Sequence, residues 1–271
     1  MMRVNGEPCD LISIRDRGLL YGDGVFRTLL ARDGIALDRK LHLQKIQHDS
    51  AKLGIVCPAL SRLSIDLDEA LLQHPDCIIK LIVTRGPGSR GYSPLRCVEP
   101  SHILDVSPIP VYPADWITQG VRIRVCATRL SAQPRLAGIK HLNRLENVLA
   151  AAESDDADIA EGLLLDGLGH VIAGVRSNLF LLREGVLITP PLNSCGVAGV
   201  QRDRVMAYAQ QQGVPLQLRD IFLDEVYSAD ELFLVNSVIG VWSVRALEHK
   251  RWTAFSFVTR MRSVLAQKER E

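Results

Sequence analysis

Three short segments of this 271-residue chain hold residue types whose spacing could do chemistry. The first, Gly86-Pro87-Gly88-Ser89-Arg90-Gly91, follows a β-branched run and matches G-x-G-x-x-G. A dinucleotide fingerprint must open a helix whose N-terminus faces the pyrophosphate, yet Tyr92-Ser93-Pro94 breaks any helix here. Two readings remain: a surface loop, or an anion-binding loop in which Arg90 presents a bidentate fork to a carboxylate. The second segment, Gly196-Val197-Ala198-Gly199-Val200-Gln201-Arg202, does run into a helical pattern. Backbone N–H groups at such a helix start suit a phosphate, because Gly199 has no side chain to hold the ligand off; the same pattern also serves as a plain turn. The third segment centres on Lys140, after Gly138, where a strand would end and a helix begin. A lysine is ordinarily solvated surface and becomes a nucleophile only where burial or a neighbouring cation lowers its pKa. His141 and Arg144 are close enough in sequence to do that.

The elements that must position these segments follow from periodicity. Asn5-Gly6, Gly22-Asp23-Gly24 and Asp33-Gly34 punctuate residues 1–38 as short strands. Leu43, Ile46 and Leu53 predict a helix over 39–53 with Gly54 beyond its C-cap, and a second helix covers about 60–74. Cys77 to Thr84 is β-branched and strand-like, and another strand lies near 101–109. Pro108, Pro110 and Pro113 stiffen the chain and interrupt sheet bonding, so a domain boundary is expected near 111–119. Beyond it come a strand at 121–125, a helix at 142–153 and a strand meander over 161–190. A helix at 199–212, strands near 231–247 and a last helix at 254–267 complete the chain. Strands and helices interleave without regular βαβ alternation, which predicts two α+β domains. The smaller spans 1–112, and the larger, 118–271, carries Lys140.

Composition narrows the class. With 32 Lys+Arg against 31 Asp+Glu the formal charge is +1, which offers no electrostatic reason for a nucleic-acid or membrane partner. At 47% hydrophobic and 23% charged the chain can bury a sizeable core, and its apolar runs are cut short by Lys80 and Asp166. The N-terminal Met1-Met2-Arg3-Val4 lacks the apolar core of a signal peptide, so a cytoplasmic protein is expected. Six cysteines lie far apart with no C-x-x-C pair and read as buried thiols, and the histidines show no metal-ligand spacing.

Asp16-Arg17-Gly18-Leu19-Leu20-Tyr21-Gly22-Asp23-Gly24-Val25-Phe26, the segment Gly138 to Glu146, Ser177-Asn178-Leu179-Phe180 and the segment Gly196 to Arg202 occur in the order and spacing of one family. Over essentially its whole length the chain resembles the class IV aminotransferases, the fold-type IV pyridoxal-phosphate enzymes. Thr84-Arg85-Gly86, Gly91-Tyr92-Ser93 and Ala137 to Glu146 most resemble the 4-amino-4-deoxychorismate lyase branch. The resemblance implies pyridoxal 5'-phosphate as cofactor, with Lys140 bound to it covalently and Val200, Gln201 and Ser237 cradling its phosphate. It implies that Arg90 and Tyr92 hold a substrate carboxylate, with Thr28 a further candidate hydroxyl, and that the active form is a homodimer. The implied reaction is loss of pyruvate from 4-amino-4-deoxychorismate to leave 4-aminobenzoate, on the way to folate. A D-amino-acid or branched-chain transaminase, or a non-catalytic cofactor-binding protein, are the alternatives on the same scaffold.

Two positions depart from the family pattern. Lys45 stands where most relatives carry an arginine on the phosphate. Ala173 stands where the family usually has a glutamate that pairs with the pyridine nitrogen and keeps the ring protonated.

Overall fold

The computed structural model describes residues 2–95, 97 and 99–268. Contacts divide the chain into two units: residues up to Pro110 together with Ile139–Asn143, and Val111–Gly138 together with Arg144–Lys268. The first unit runs β1 (Met2–Val4), β2 (Glu7–Pro8), α1 (Arg17–Tyr21), β3 (Gly24–Arg32), β4 (Ile35–Ala36), α2 (Arg39–Lys52), α3 (Leu60–Gln73), β5 (Cys77–Thr84) and β6 (Ser101–Ser107). Its strands form one antiparallel sheet in the order β2-β1-β6-β5-β3-β4.

Strand alternation gives that sheet two unlike faces. Val25, Leu29 and Ala31 of β3, with Ile79, Leu81 and Val83 of β5, meet Leu43 and Ile46 of α2 and Leu63, Leu67 and Leu71 of α3 in a closed core. The intervening residues Phe26, Thr28, Lys80 and Ile82 stay half-exposed on the other face. Ile139 is wholly buried in this core, which is why the segment around Lys140 counts with the first unit. The lysine expected within the C-terminal domain is thus held by the N-terminal one.

The second unit runs α4 (Ala114–Thr118), β7 (Val121–Leu130), α5 (Leu145–Ala152), β8 (Ile159–Asp166), β9 (Val171–Gly174), β10 (Asn178–Arg183), β11 (Val186–Thr189), α6 (Val200–Gln211), β12 (Leu216–Leu218), α7 (Leu223–Ser228), β13 (Glu231–Asn236), β14 (Gly240–Leu247), β15 (Lys250–Arg251) and α8 (Ser256–Lys268). Its sheet has the order β12-β11-β10-β13-β14-β7-β8-β9, with β15 on β14. The central strands are apolar on both faces: Leu179, Leu181, Leu232 and Leu234 face one core, while Phe180, Phe233 and Val235 pack with Val205 and Tyr208 of α6 and Val258 and Met261 of α8. Burial on both sides explains why these strands read as continuous apolar runs.

The boundary falls between Pro110 and Val111, at the upstream edge of the predicted linker. Tyr112 and Trp116 lie edge-on to Trp242 at 4.9 and 5.2 Å, so this stretch packs with the second unit instead of hanging free. Helices α1, α4 and α7 are each six residues or fewer and left no periodic signal. The helix expected from 142 begins at Leu145, because the amide of Leu142 donates to Gly24 O and Asn143 Nδ2 to Gly22 O. Among the described residues no helix is long and apolar enough to cross a membrane.

Candidate active site

Lys140 sits on an added half-strand at the edge of β3. The amide of Phe26 donates to Lys140 O at 2.9 Å and that of Leu142 to Gly24 O at 3.0 Å, around an antiparallel bridge between Val25 and His141. In this register Lys140 pairs with Phe26, so both side chains share the open face, with Lys140 Nζ 4.5 Å from the centroid of the Phe26 ring. A continuing ladder would use the amide of Lys140 on β3. Instead it donates to Asp49 Oδ2 at 3.0 Å, and Asp49 is itself ion-paired with Arg27. Both partners of that pair are buried.

Helix α2 supplies the groups beneath. His42, Lys45 and Asp49 recur at helical spacing on one face, while Leu43 and Ile46 enter the core. His42 is fully enclosed, and neither of its ring nitrogens has a hydrogen-bond partner. Burial, then the charges of Arg27, Lys140 and Lys45, push its pKa down to about 3, so the ring is neutral. Arg27, Lys45 and Lys140 thus all act on His42, and Lys80 Nζ lies 5.1 Å from the Phe26 ring that Lys140 also faces. Sequence proximity had pointed to His141 and Arg144. Strand alternation turns His141 to the other face, and Arg144 caps α5 in the second unit. Thr28, a candidate hydroxyl, stands two positions from Phe26 on the open face and pairs across the strands with Lys80.

Arg90 and Tyr92 both lie exposed on the loop after β5, and among the described residues the next element after that loop's glycines is the strand β6, not a helix. Gly86 has φ +82°, and a Cβ there would come within 1.9 Å of Glu99 O, so only glycine closes the base of the loop.

In the second unit the start of α6 has the local geometry of a helix N-terminus opened by glycine. Its N-cap, Gly199, has no side chain to cap the first turn, which opens with Val200 and Gln201. Asn178 shapes the turn before it: Oδ1 accepts from the amide of Gly199 at 3.0 Å, and Nδ2 donates to Val197 O at 2.7 Å. A Cβ at residue 199 would fall 2.5 Å from Asn178 Oδ1, so a side chain there would displace the Asn178 amide from its bond to the turn. Ser177 Oγ is buried without a partner, and Ser237 lies half-buried in the turn between β13 and β14. A dipole-aligned helix start with a glycine cap fits a phosphate. An amine on an open sheet face fits a carbonyl group. Each feature, taken within its own unit, is compatible with one part of pyridoxal phosphate.

Ala173 is buried in an apolar cluster with Cys126, Leu130, Leu164 and Ile172. Both carboxylates of the paired strand β8 are engaged elsewhere: Glu161 accepts from Arg176 N and Nε at 3.0 Å, and Asp166 pairs with the amide and Nδ1 of His170 at 2.9 Å. Burial pushes the Glu161 pKa up against the pull of Arg176. Asp49, Phe26 and Lys80 were not legible as site residues, since a polar residue in a helix or on a strand gives no signal until its tertiary partner is known.

The chain belongs to the family Amino-transferase class IV, which matches residues 24–247. It is 36% identical over 247 residues to the aminodeoxychorismate lyase of Vibrio harveyi, covering 91% of each chain. The crystal structure of 4-amino-4-deoxychorismate lyase from Pseudomonas aeruginosa matches with a TM-score of 0.95 at 44% identity, over 98% of each chain. A D-alanine aminotransferase from Bacillus licheniformis is 27% identical over 241 residues, 88% of this chain and 83% of the other. The α+β, two-domain architecture expected for a fold-type IV enzyme is the one found.

Proposed function

We propose that this protein is a pyridoxal-phosphate-dependent carbon–oxygen lyase that converts 4-amino-4-deoxychorismate into 4-aminobenzoate and pyruvate. The likeness to two lyases of that name over nearly the whole chain supports the choice. Lys140, Lys45, the amides of Val200 and Gln201, and Ser237 would hold the cofactor. When bound, pyridoxal phosphate supplies an electron sink for the amine-bearing carbon of the substrate.

The residues of the chain do the rest. Arg90, with Tyr92 beside it, holds a substrate carboxylate by charge-assisted hydrogen bonds. Lys140 Nζ, as the free amine, takes the proton from the amine-bearing carbon. The C–O bond on the adjacent carbon then breaks, the ring becomes aromatic, and the enolpyruvyl group departs and tautomerises to pyruvate. The Asp49 contact fixes the backbone from which that amine projects.

The apolar surround of Ala173 is the observation that favours a lyase over a transaminase. By family resemblance residue 173 faces the pyridine nitrogen, and without a carboxylate there the sink is weak. Aromatisation drives the elimination and tolerates a weak sink, whereas amino-group exchange must hold a carbanion without such help. The proposal includes a homodimer, supported by Leu145, Val148 and Leu149, which form an exposed apolar stripe at helical spacing on α5.

Purified protein given chorismate, glutamine and an upstream synthase should release 4-aminobenzoate with one equivalent of pyruvate. Turnover that depends on an added keto acid, with no 4-aminobenzoate formed, would overturn the assignment in favour of a transaminase.

A further inference from the structure

Two exposed side chains on a glycine-rich loop grip nothing unless the loop is held, and what holds this one lies 74 residues upstream. Arg17 is only 3% exposed, and its guanidinium reaches two consecutive carbonyls beyond Arg90. Nη1 donates to Gly91 O at 2.9 Å and Nη2 to Tyr92 O at 2.8 Å. Nε completes the fork, donating to Asp23 Oδ2 at 2.9 Å.

The base of the loop is pinned by backbone bonds to the same short stretch. The amide of Arg17 donates to Gly86 O at 3.0 Å and that of Gly88 to Arg15 O at 3.1 Å, around a bridge between Asp16 and Pro87. Tyr21 adds a second contact at the tip: its hydroxyl accepts from the amide of Gly91 at 3.3 Å, and its ring lies 5.4 Å from that of Tyr92. The Arg17 guanidinium also sits 4.8 Å over the Tyr21 ring. Asp23 bridges two guanidiniums, since its carboxylate also accepts from Arg85, at 2.8 and 3.1 Å. Arg85 in turn donates to Leu53 O and Gly54 O at the end of α2.

We propose that Arg17 is the positioning residue of the carboxylate-binding loop, with Asp23 and Tyr21 as its supports: it fixes the backbone just after Arg90 so that Arg90 and Tyr92 are presented together. A planar fork with three donors in fixed directions can bond two carbonyls and a carboxylate at once. A lysine at this position has one nitrogen and can satisfy one of them well. The guanidinium touches no substrate in this scheme. Its effect passes through the loop, so it should govern capture of a carboxylate more than the rate of the bond-breaking step.

This inference rests on the assignment of Arg90 to a substrate carboxylate, and the test separates the two. Trypsin cleavage after Arg90, followed by mass spectrometry, reads the loop without substrate or cofactor. In Arg17→Lys, cleavage should speed up about tenfold, KM for the carboxylate substrate should rise about tenfold and kcat should stay within about twofold. Arg17→Gln should lose more on both readouts. Should both variants fail to fold by circular dichroism, Tyr21→Phe removes only the hydroxyl and should raise cleavage about two- to threefold. Unchanged cleavage and KM in folded Arg17→Lys, or unchanged cleavage in Tyr21→Phe when the arginine variants do not fold, overturns the role of Arg17. An unchanged KM in Arg90→Ala, with cleavage still accelerated in Arg17→Lys, instead removes the carboxylate assignment and leaves a clamp on a loop of different purpose.

Discussion

Asp49 accepts the backbone amide of Lys140 across 91 residues of sequence, and the same oxygen pairs with Arg27. One carboxylate therefore holds down the strand that carries Lys140 and pairs with a buried guanidinium. Its removal should be felt twice. Asp49→Ala should lower stability by about 3–5 kcal/mol in urea unfolding, because it strands a buried charge. Asp49→Asn keeps an acceptor for the amide and should cost less, and kcat should fall in the order Asn, then Ala. Equal stability of all three proteins would remove the ion pair from the list of what holds this edge together.

Lys140 is half-exposed on the open face of the sheet, and the stability of the region comes from its backbone bonds and from Ile139. Lys140→Ala should consequently unfold within about 1 kcal/mol of the wild type while losing turnover and the absorption band of the lysine-bound cofactor. Lys140→Arg should fare little better, since a guanidinium stays protonated and is a poor nucleophile. Near-normal turnover in either variant would refute the assignment.

A glutamate at residue 173 would enter the apolar cluster of Leu130, Leu164 and Ile172. Ala173→Glu should lower the melting temperature, through both overpacking and an enclosed carboxyl. In the cofactor-loaded protein it should leave elimination within a few-fold while raising slow transamination of alanine. Both rates can be followed on one preparation; a large rise in elimination would show that the natural enzyme is limited by its electron sink.

Burial raises the Asp23 pKa, but hydrogen bonds and charge from Arg85 and Arg17 outweigh it and hold the carboxyl below its ordinary 3.8. A depressed folded-state pKa stabilises above the unfolded value and is lost as pH falls through the folded one. The difference in urea midpoint between wild type and Asp23→Asn should be constant from neutral pH to about 5, and should shrink below about 4. A difference that instead grows in acid would contradict the ion-pair account.

Much of the fold was legible because the core faces write themselves into the sequence. Leu63, Leu67 and Leu71 recur at helical spacing in α3, and β5 spans the stretch from Cys77 to Thr84 that its β-branched residues predicted. Helix α1 was missed since five residues carry too few turns to show a period. The matched family motifs pointed to Lys140, Arg90 and the start of α6. They gave no role to Arg17, although it stood in one of them, because its partners are backbone carbonyls that no pattern of side chains can announce. The ownership of Lys140 was misjudged for a related reason: chain order places it after the proline-marked boundary, and only the bridge to Val25 returns it to the first sheet.

That return has a consequence for how the chain is made. The N-terminal core cannot be completed from the first 110 residues, since Ile139, fully enclosed within it, is synthesised later. Domains that emerge whole can fold while the ribosome is still working, N-terminal first. Here the leading unit lacks Ile139 and the half-strand added to β3 until the first stretch of the second unit has been translated. The piece that completes the first core is thus the one that bears Lys140, and it leaves the ribosome only after the linker and β7 have done so.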